Sequence, residues 1–209
     1  MKNNKKLAYA ALAVFASSAY AEGVAPEFNG KGTASVEVRN TLDIVETASL
    51  NFGTIAAVAG NDTTVATLKL DPASGEVTAA PVTATVGKKA GSITPIDKTN
   101  VSPGTFTVSN AARYTDLNID LTQTKDVELK MDNAAPESLF FTLTDFDVVA
   151  NEKPVTLASN KGQAKTDGTG TLLLRVGATL NTTTTKSTAG TEPYLDAEYK
   201  GEYAVTISY

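Results

Sequence analysis

The stretch Tyr199-Lys200-Gly201-Glu202-Tyr203-Ala204-Val205-Thr206-Ile207-Ser208-Tyr209 decides how the fold is read. Tyr203, Val205, Ile207 and Tyr209 share one parity, while Ala204, Thr206 and Ser208 share the other. That period of two is the signature of a half-buried strand. An apolar strand that runs to the last residue needs a sheet to receive it, because a terminus with nothing to hold it frays. Tyr203, Val205, Ile207 and Tyr209 are therefore expected as core residues first and as walls of a binding groove second. Exposed tyrosines would mark an interaction surface, but the parity shared with Val205 and Ile207 favours the core.

The same alternation recurs upstream. From Ala34, the residues Val36, Val38, Leu42 and Ile44 fall on even positions, against Ser35, Glu37, Arg39, Thr41 and Asp43 on odd ones. Ala48 to Ile55 reads as a strand interrupted at Gly53 by a bulge or a close backbone approach. Further strands are expected at 64–70, 77–86, 105–108, 116–122, 127–131, 138–148, 170–176 and 179–182. Turn signals separate them, among them Gly60-Asn61-Asp62, Asp71-Pro72, Ser102-Pro103-Gly104, Asn151-Glu152-Lys153-Pro154 and a hairpin turn at Asp167-Gly168. Asn181 to Thr188 is a polar, threonine-rich segment expected to project from the surface between the last two strands. No segment carries an apolar stripe of period 3.6 with helix caps, so the expected class is all-β, an antiparallel sandwich rather than an α/β design.

The first residues read as a targeting segment. Lys2, Lys5 and Lys6 precede an apolar run from Leu7 to Ala16 that is too short to span a bilayer, and Ala19-Tyr20-Ala21 is a small-x-small cleavage site. The expected organisation is a signal peptide over 1–21, an arm over 22–33 and one domain over 34–209. Removing the signal takes away three of 18 basic residues and none of the 23 acidic ones, leaving a net charge of −8. An acidic surface of this kind repels nucleic acid and anionic lipid. No later apolar run reaches membrane-span length, so the mature chain is expected to be secreted, with no direct membrane span.

The chain has no cysteine and no histidine. Nucleophile pairs built on histidine, and the common zinc sites, are therefore excluded. Carboxylates are the remaining candidates. Asp145 and Asp147 are two apart on one strand face and could serve a Ca²⁺ site or an acid/base pair, but both uses need further convergent ligands. Asp116, Asp120 and Asp126 are read in the same way, as solvated strand ends. The Asn-x-Ser/Thr triplets at Asn61, Asn100 and Asn181 arise by chance in a threonine-rich chain. No catalytic residue, cofactor or metal ligand is assigned, and a non-enzymatic role is expected.

Three motifs, in order, carry a resemblance: Leu50-Asn51-Phe52-Gly53-Thr54-Ile55, then Gly170-Thr171-Leu172 with Val176-Gly177-Ala178-Thr179-Leu180, then the terminal stretch from Tyr199 to Tyr209. Together they resemble the bacterial domain-of-unknown-function 4402 family of secreted β-sandwich domains, over nearly the whole mature chain. The general form is also similar to a fimbrial subunit, which implies an Ig-like, pilin-like sandwich. In chaperone–usher pilins the arm of one subunit completes the sheet of the next by strand addition. The chain departs from that pattern in lacking a disulfide and in ending on Tyr209, where pilins have the aromatic at the penultimate position.

Val24, Pro26 and Phe28 share one parity, as residues filling adjacent pockets of a groove must, and Pro26 suits an edge position because it lacks an N–H. The resemblance therefore implies a structural subunit of an extracellular filament or pilus. It would reach the cell surface through the periplasm, and its arm would be donated to another copy of the chain. An assembly chaperone or outer-membrane assembly protein would be a further partner. The competing reading is a monomeric secreted adhesin or carbohydrate-binding module that uses loops such as 181–188.

Overall fold

A computed structural model describes residues 32–36, 41–122, 127–187 and 189–209. The chain divides into two compact units, Met1–Val38 and Arg39–Tyr209. In the first, residues 32–36 carry no regular secondary structure. The second is built from antiparallel strands, with no helix among the described residues. The expected all-β sandwich class is seen in this unit, with one large sheet and two small ones enclosing a common apolar core.

The strands are β1 Asp43–Ala48, β2 Thr54–Gly60, β3 Thr67–Leu70, β4 Val77–Ala80, β5 Ser92–Asp97, β6 Gly104–Ser109, β7 Asp116–Asp120, β8 Val127–Met131, β9 Phe141–Ala150, β10 Lys153–Val155, β11 Lys161–Lys165, β12 Leu172–Thr182, β13 Thr191–Pro193, β14 Tyr199–Lys200 and β15 Thr206–Ser208. The large sheet runs β1-β6-β12-β9-β8-β14, with β3 and β4 extending from β12 and β10 from β9. The small sheets are β11-β7-β15 and β13-β2-β5.

β12 is the central element because its length serves two sets of partners. Its first half pairs with β6, its second half with β3, and nearly all of it with β9. Leu172, Leu174, Val176, Ala178 and Leu180 alternate into the core and are almost completely buried. The sequence suggested two strands here, broken at Gly177-Ala178; the chain runs through as one. The break lies on the partner strand, where the register shifts between Gly177↔Asp147 and Thr179↔Thr144. Asp145 takes φ 47° at this bulge, which lets two residues of β9 oppose one of β12.

Gly53 has the close approach expected of it. At φ 77° a Cβ there would lie 2.4 Å from the Asp97 carbonyl oxygen, so the segment from Phe52 into β2 can press against β5 only with glycine at this position.

The terminal stretch keeps its parity but not as one strand. Tyr199 and Lys200 pair with β8 in the large sheet, and Thr206 to Ser208 pair with β7 in a small one. Residues 201–205 carry the chain from one sheet to the other. Because the crossing segment stays extended, Tyr203, Val205 and Ile207 all pack against the core while Ala204, Thr206 and Ser208 face water. Tyr209 is 49% exposed and lies at the surface; its hydroxyl accepts from the Ala112 N–H at 3.2 Å.

Other boundaries also differ from the expected ones. The first strand starts at Asp43 among the described residues, and β4 ends at Ala80 rather than near residue 86. Asp167-Gly168 is not a hairpin turn, because it joins β11 and β12, which lie in different sheets. Asn181, Thr182 and Thr185 are buried, so the first half of the threonine-rich segment belongs to the fold rather than projecting from it.

Candidate functional site

A strand with one unpaired edge presents free backbone N–H and C=O groups, and proteins usually guard such edges with proline, lysine or bulges. Among the described residues, several edge strands are guarded in this way. β5 carries Pro95, β10 Pro154 and β13 Pro193, while β11 carries Lys161 and Lys165 and β14 carries Lys200. β1 is different. Among the described residues it pairs only with β6, and its six residues, Asp-Ile-Val-Glu-Thr-Ala, hold neither proline nor lysine; its guards are the acidic Asp43 and Glu46 and a register shift between Glu46 and Ala48.

The register shows which way its side chains face. Ile44 lies opposite Val108, which is fully buried, so Ile44 is on the core-facing side, yet it remains 39% exposed. Val45, opposite Thr107 on the other face, is 51% exposed. Among the described residues, no strand covers this edge of β1. β4, which pairs only with β3 among the described residues, and β15, the last strand, are further edges without proline or lysine, and β15 contributes Ile207 to the core.

Tyr203 lies on the core side of this region, on the segment that crosses between sheets. Its ring meets Phe106 of β6 edge-on at 5.9 Å and Phe146 of β9 at 5.7 Å. Gly104 makes room for it, since a Cβ there would fall 1.8 Å from the tyrosine oxygen. The hydroxyl is buried with no hydrogen-bond partner among the described residues. Burial, with the negative charge of Glu46 adding to it, pushes its pKa well above the ordinary tyrosine value.

The carboxylates named from the sequence do not converge. Asp147 pairs with Lys69 at 2.6 Å, and Asp145, turned outward at the bulge, accepts a hydrogen bond from the Thr144 hydroxyl. Asp116 pairs with Lys165 at 3.0 Å and Asp120 with Lys161 at 2.9 Å. The Thr122 hydroxyl and Lys161 together hold the Asp120 carboxyl down to a pKa of about 2. Asp126 lies outside the described residues, as do Val24, Pro26 and Phe28. Among the described residues no group of three or more acidic side chains is placed to hold a metal ion, and no helix is long and apolar enough to cross a membrane.

The region therefore offers backbone pairing and apolar burial rather than covalent chemistry. The open β1 edge was not identified from the sequence. The signal for it was the adjacent pair Ile44-Val45, which breaks strict alternation by placing an apolar residue on each face. No family model matches the chain, and neither a curated protein nor a solved structure matches it.

Proposed function

We propose that the chain is a secreted structural subunit of an extracellular bacterial filament or pilus, with the arm 22–33 of one copy added as a strand to the sandwich of the next. The observation that carries this reading is the β1 edge, which has no second partner among the described residues and where Ile44 faces the core side of the sheet and still meets water. An added strand would satisfy the free backbone groups of β1 and cover Ile44. The arm has the pattern such a strand requires, with Val24, Pro26 and Phe28 on one parity. The contact is head-to-tail, and in this reading its rotation does not close into a ring, so successive copies build a fibre.

In this reading the fold is an Ig-like, pilin-like sandwich of the domain-of-unknown-function 4402 type, in which Tyr203, Val205 and Ile207, packed against the core, are core residues first and groove residues second. Export through the periplasm, with an assembly chaperone or outer-membrane assembly protein as partner, belongs to the same proposal. Deleting 22–33 should abolish the high-molecular-weight ladder of the secreted protein in unheated detergent gels and leave a folded monomer. A ladder unchanged by the deletion would overturn the proposal.

A further inference from the structure

The outer face of the large sheet carries a groove that the strand-exchange reading does not use. It has a volume of about 580 Å³, within the range of small-ligand sites, and it is lined by Val65, Phe140, Thr142, Thr144, Asn181 and the threonines 182–184. None of these side chains ionises. At its edges the Asp145 carboxylate accepts from the Thr144 hydroxyl at 3.1 Å, and Lys130 lies over the Phe140 ring at 5.3 Å, already paired with Glu128. An anionic ligand entering here would meet the Asp145 carboxylate and a cation that is already paired, so the surroundings disfavour anions and the uncharged lining suits a neutral ligand.

The polar groups of the groove are held in place by the fold. Asn181, buried in β12, donates its amide to the Thr144 hydroxyl at 2.9 Å and to the Thr142 carbonyl at 3.2 Å, which fixes the plane of the side chain. Thr182 accepts from the Ala66 N–H at 3.0 Å. The Thr183 hydroxyl donates to the Phe140 carbonyl at 3.0 Å, and Tyr194 donates to the same oxygen at 2.9 Å. By contrast, the hydroxyls of Thr142 and Thr184 have no protein partner among the described residues. The result is a rigid polar rim with unused hydroxyls, beside an apolar patch of Phe140 and Val65.

From this arrangement we infer that the groove binds a neutral saccharide. A pyranose has the matching chemistry: an apolar C–H face to lie against Phe140 and Val65, and hydroxyls that both donate and accept for Thr142, Thr184 and the Asn181 carbonyl. The groove and the β1 edge involve different residues, so saccharide binding and polymerisation can succeed or fail independently.

The test is saturation-transfer NMR on the mature chain with maltotriose, cellotriose and mannotriose, together with lactose and its sialylated derivative as a matched neutral and charged pair. At least one neutral saccharide should bind. Thr142→Val and Thr184→Val should each weaken that binding about three- to tenfold, the worth of one neutral hydrogen bond, with the thermal midpoint unchanged. Thr184 is exposed, so its substitution reads binding even if Thr142→Val fails to fold. The inference is overturned if no neutral saccharide binds, if both substitutions leave binding intact, or if sialyllactose binds better than lactose.

Discussion

At the residue scale, two buried polar groups make opposite contributions. The Tyr203 hydroxyl has lost water and found no partner, a cost of about 1–3 kcal/mol for a buried polar group. Tyr203→Phe keeps the ring contacts with Phe106 and Phe146 and removes that cost. It should therefore stabilise the fold by about 1 kcal/mol and raise the thermal midpoint by about 2–4 °C. The raised pKa gives a second readout. The unfolded chain ionises this tyrosine near its ordinary value of 10.0 while the folded chain keeps it protonated, so stability falls as pH rises above that value. Denaturant titrations between pH 9 and pH 11 should show a shallower alkaline loss in Tyr203→Phe than in the parent.

Asp62 is the converse case. Its buried carboxylate accepts from the backbone N–H groups of Thr85 and Thr64, and these bonds, Thr85's first, hold its pKa at about 2. A depressed carboxylate contributes stability above the ordinary aspartate value of 3.8, and that contribution is lost as pH falls towards 2. Asp62→Asn should flatten the stability profile across that window, as measured by denaturation at closely spaced pH values.

At the element scale, the ends of the large sheet differ from its centre. Leu174, on β12 between β6 and β9, is fully buried, so Leu174→Ala should cost about 2–5 kcal/mol in chemical denaturation. Ile44→Ala in the isolated monomer should cost less than about 1 kcal/mol, because much of that side chain already meets water. Comparable costs at the two sites would mean that β1 is covered in solution. The strands legible in the sequence were those with strong apolar alternation; 127–131 was read with the bounds the structure gives, and 105–108 and 116–122 nearly so. β5, β10 and β13 were missed, and each contains a proline. Proline signals a turn in sequence, but at a sheet edge it marks a strand whose N–H is not needed, and only topology separates the two. β11 was missed for a different reason, since Lys-Gly-Gln-Ala-Lys carries almost no apolar pattern, while β14 was read only as the start of one long terminal strand.

At the scale of the whole molecule, the terminal stretch shows how far a pattern reaches. The parity of Tyr203, Val205 and Ile207 was legible because burial alternates in any extended chain. The change of sheet between Lys200 and Thr206 was not, because partner choice depends on β7 and β8 far upstream. The threonine groove was hidden for the same reason, since Thr142 and Asn181 become neighbours only through the β9–β12 register. The open edge links these scales to function. The proposal that copies join head to tail rests on this β1 edge and on the shared parity of Val24, Pro26 and Phe28 in the sequence.

The absence of cysteine allows a direct test of that claim, because any disulfide must come from an engineered pair. A chain carrying Ile44→Cys is refolded together with a second chain carrying Val24→Cys, Pro26→Cys or Phe28→Cys, and the products are separated on non-reducing gels. If the arm of one copy lies along β1 of another, at least one of the three pairings gives a disulfide-linked dimer of unlike chains that reduction dissolves. No such dimer in any pairing, with every chain folded, would contradict the account.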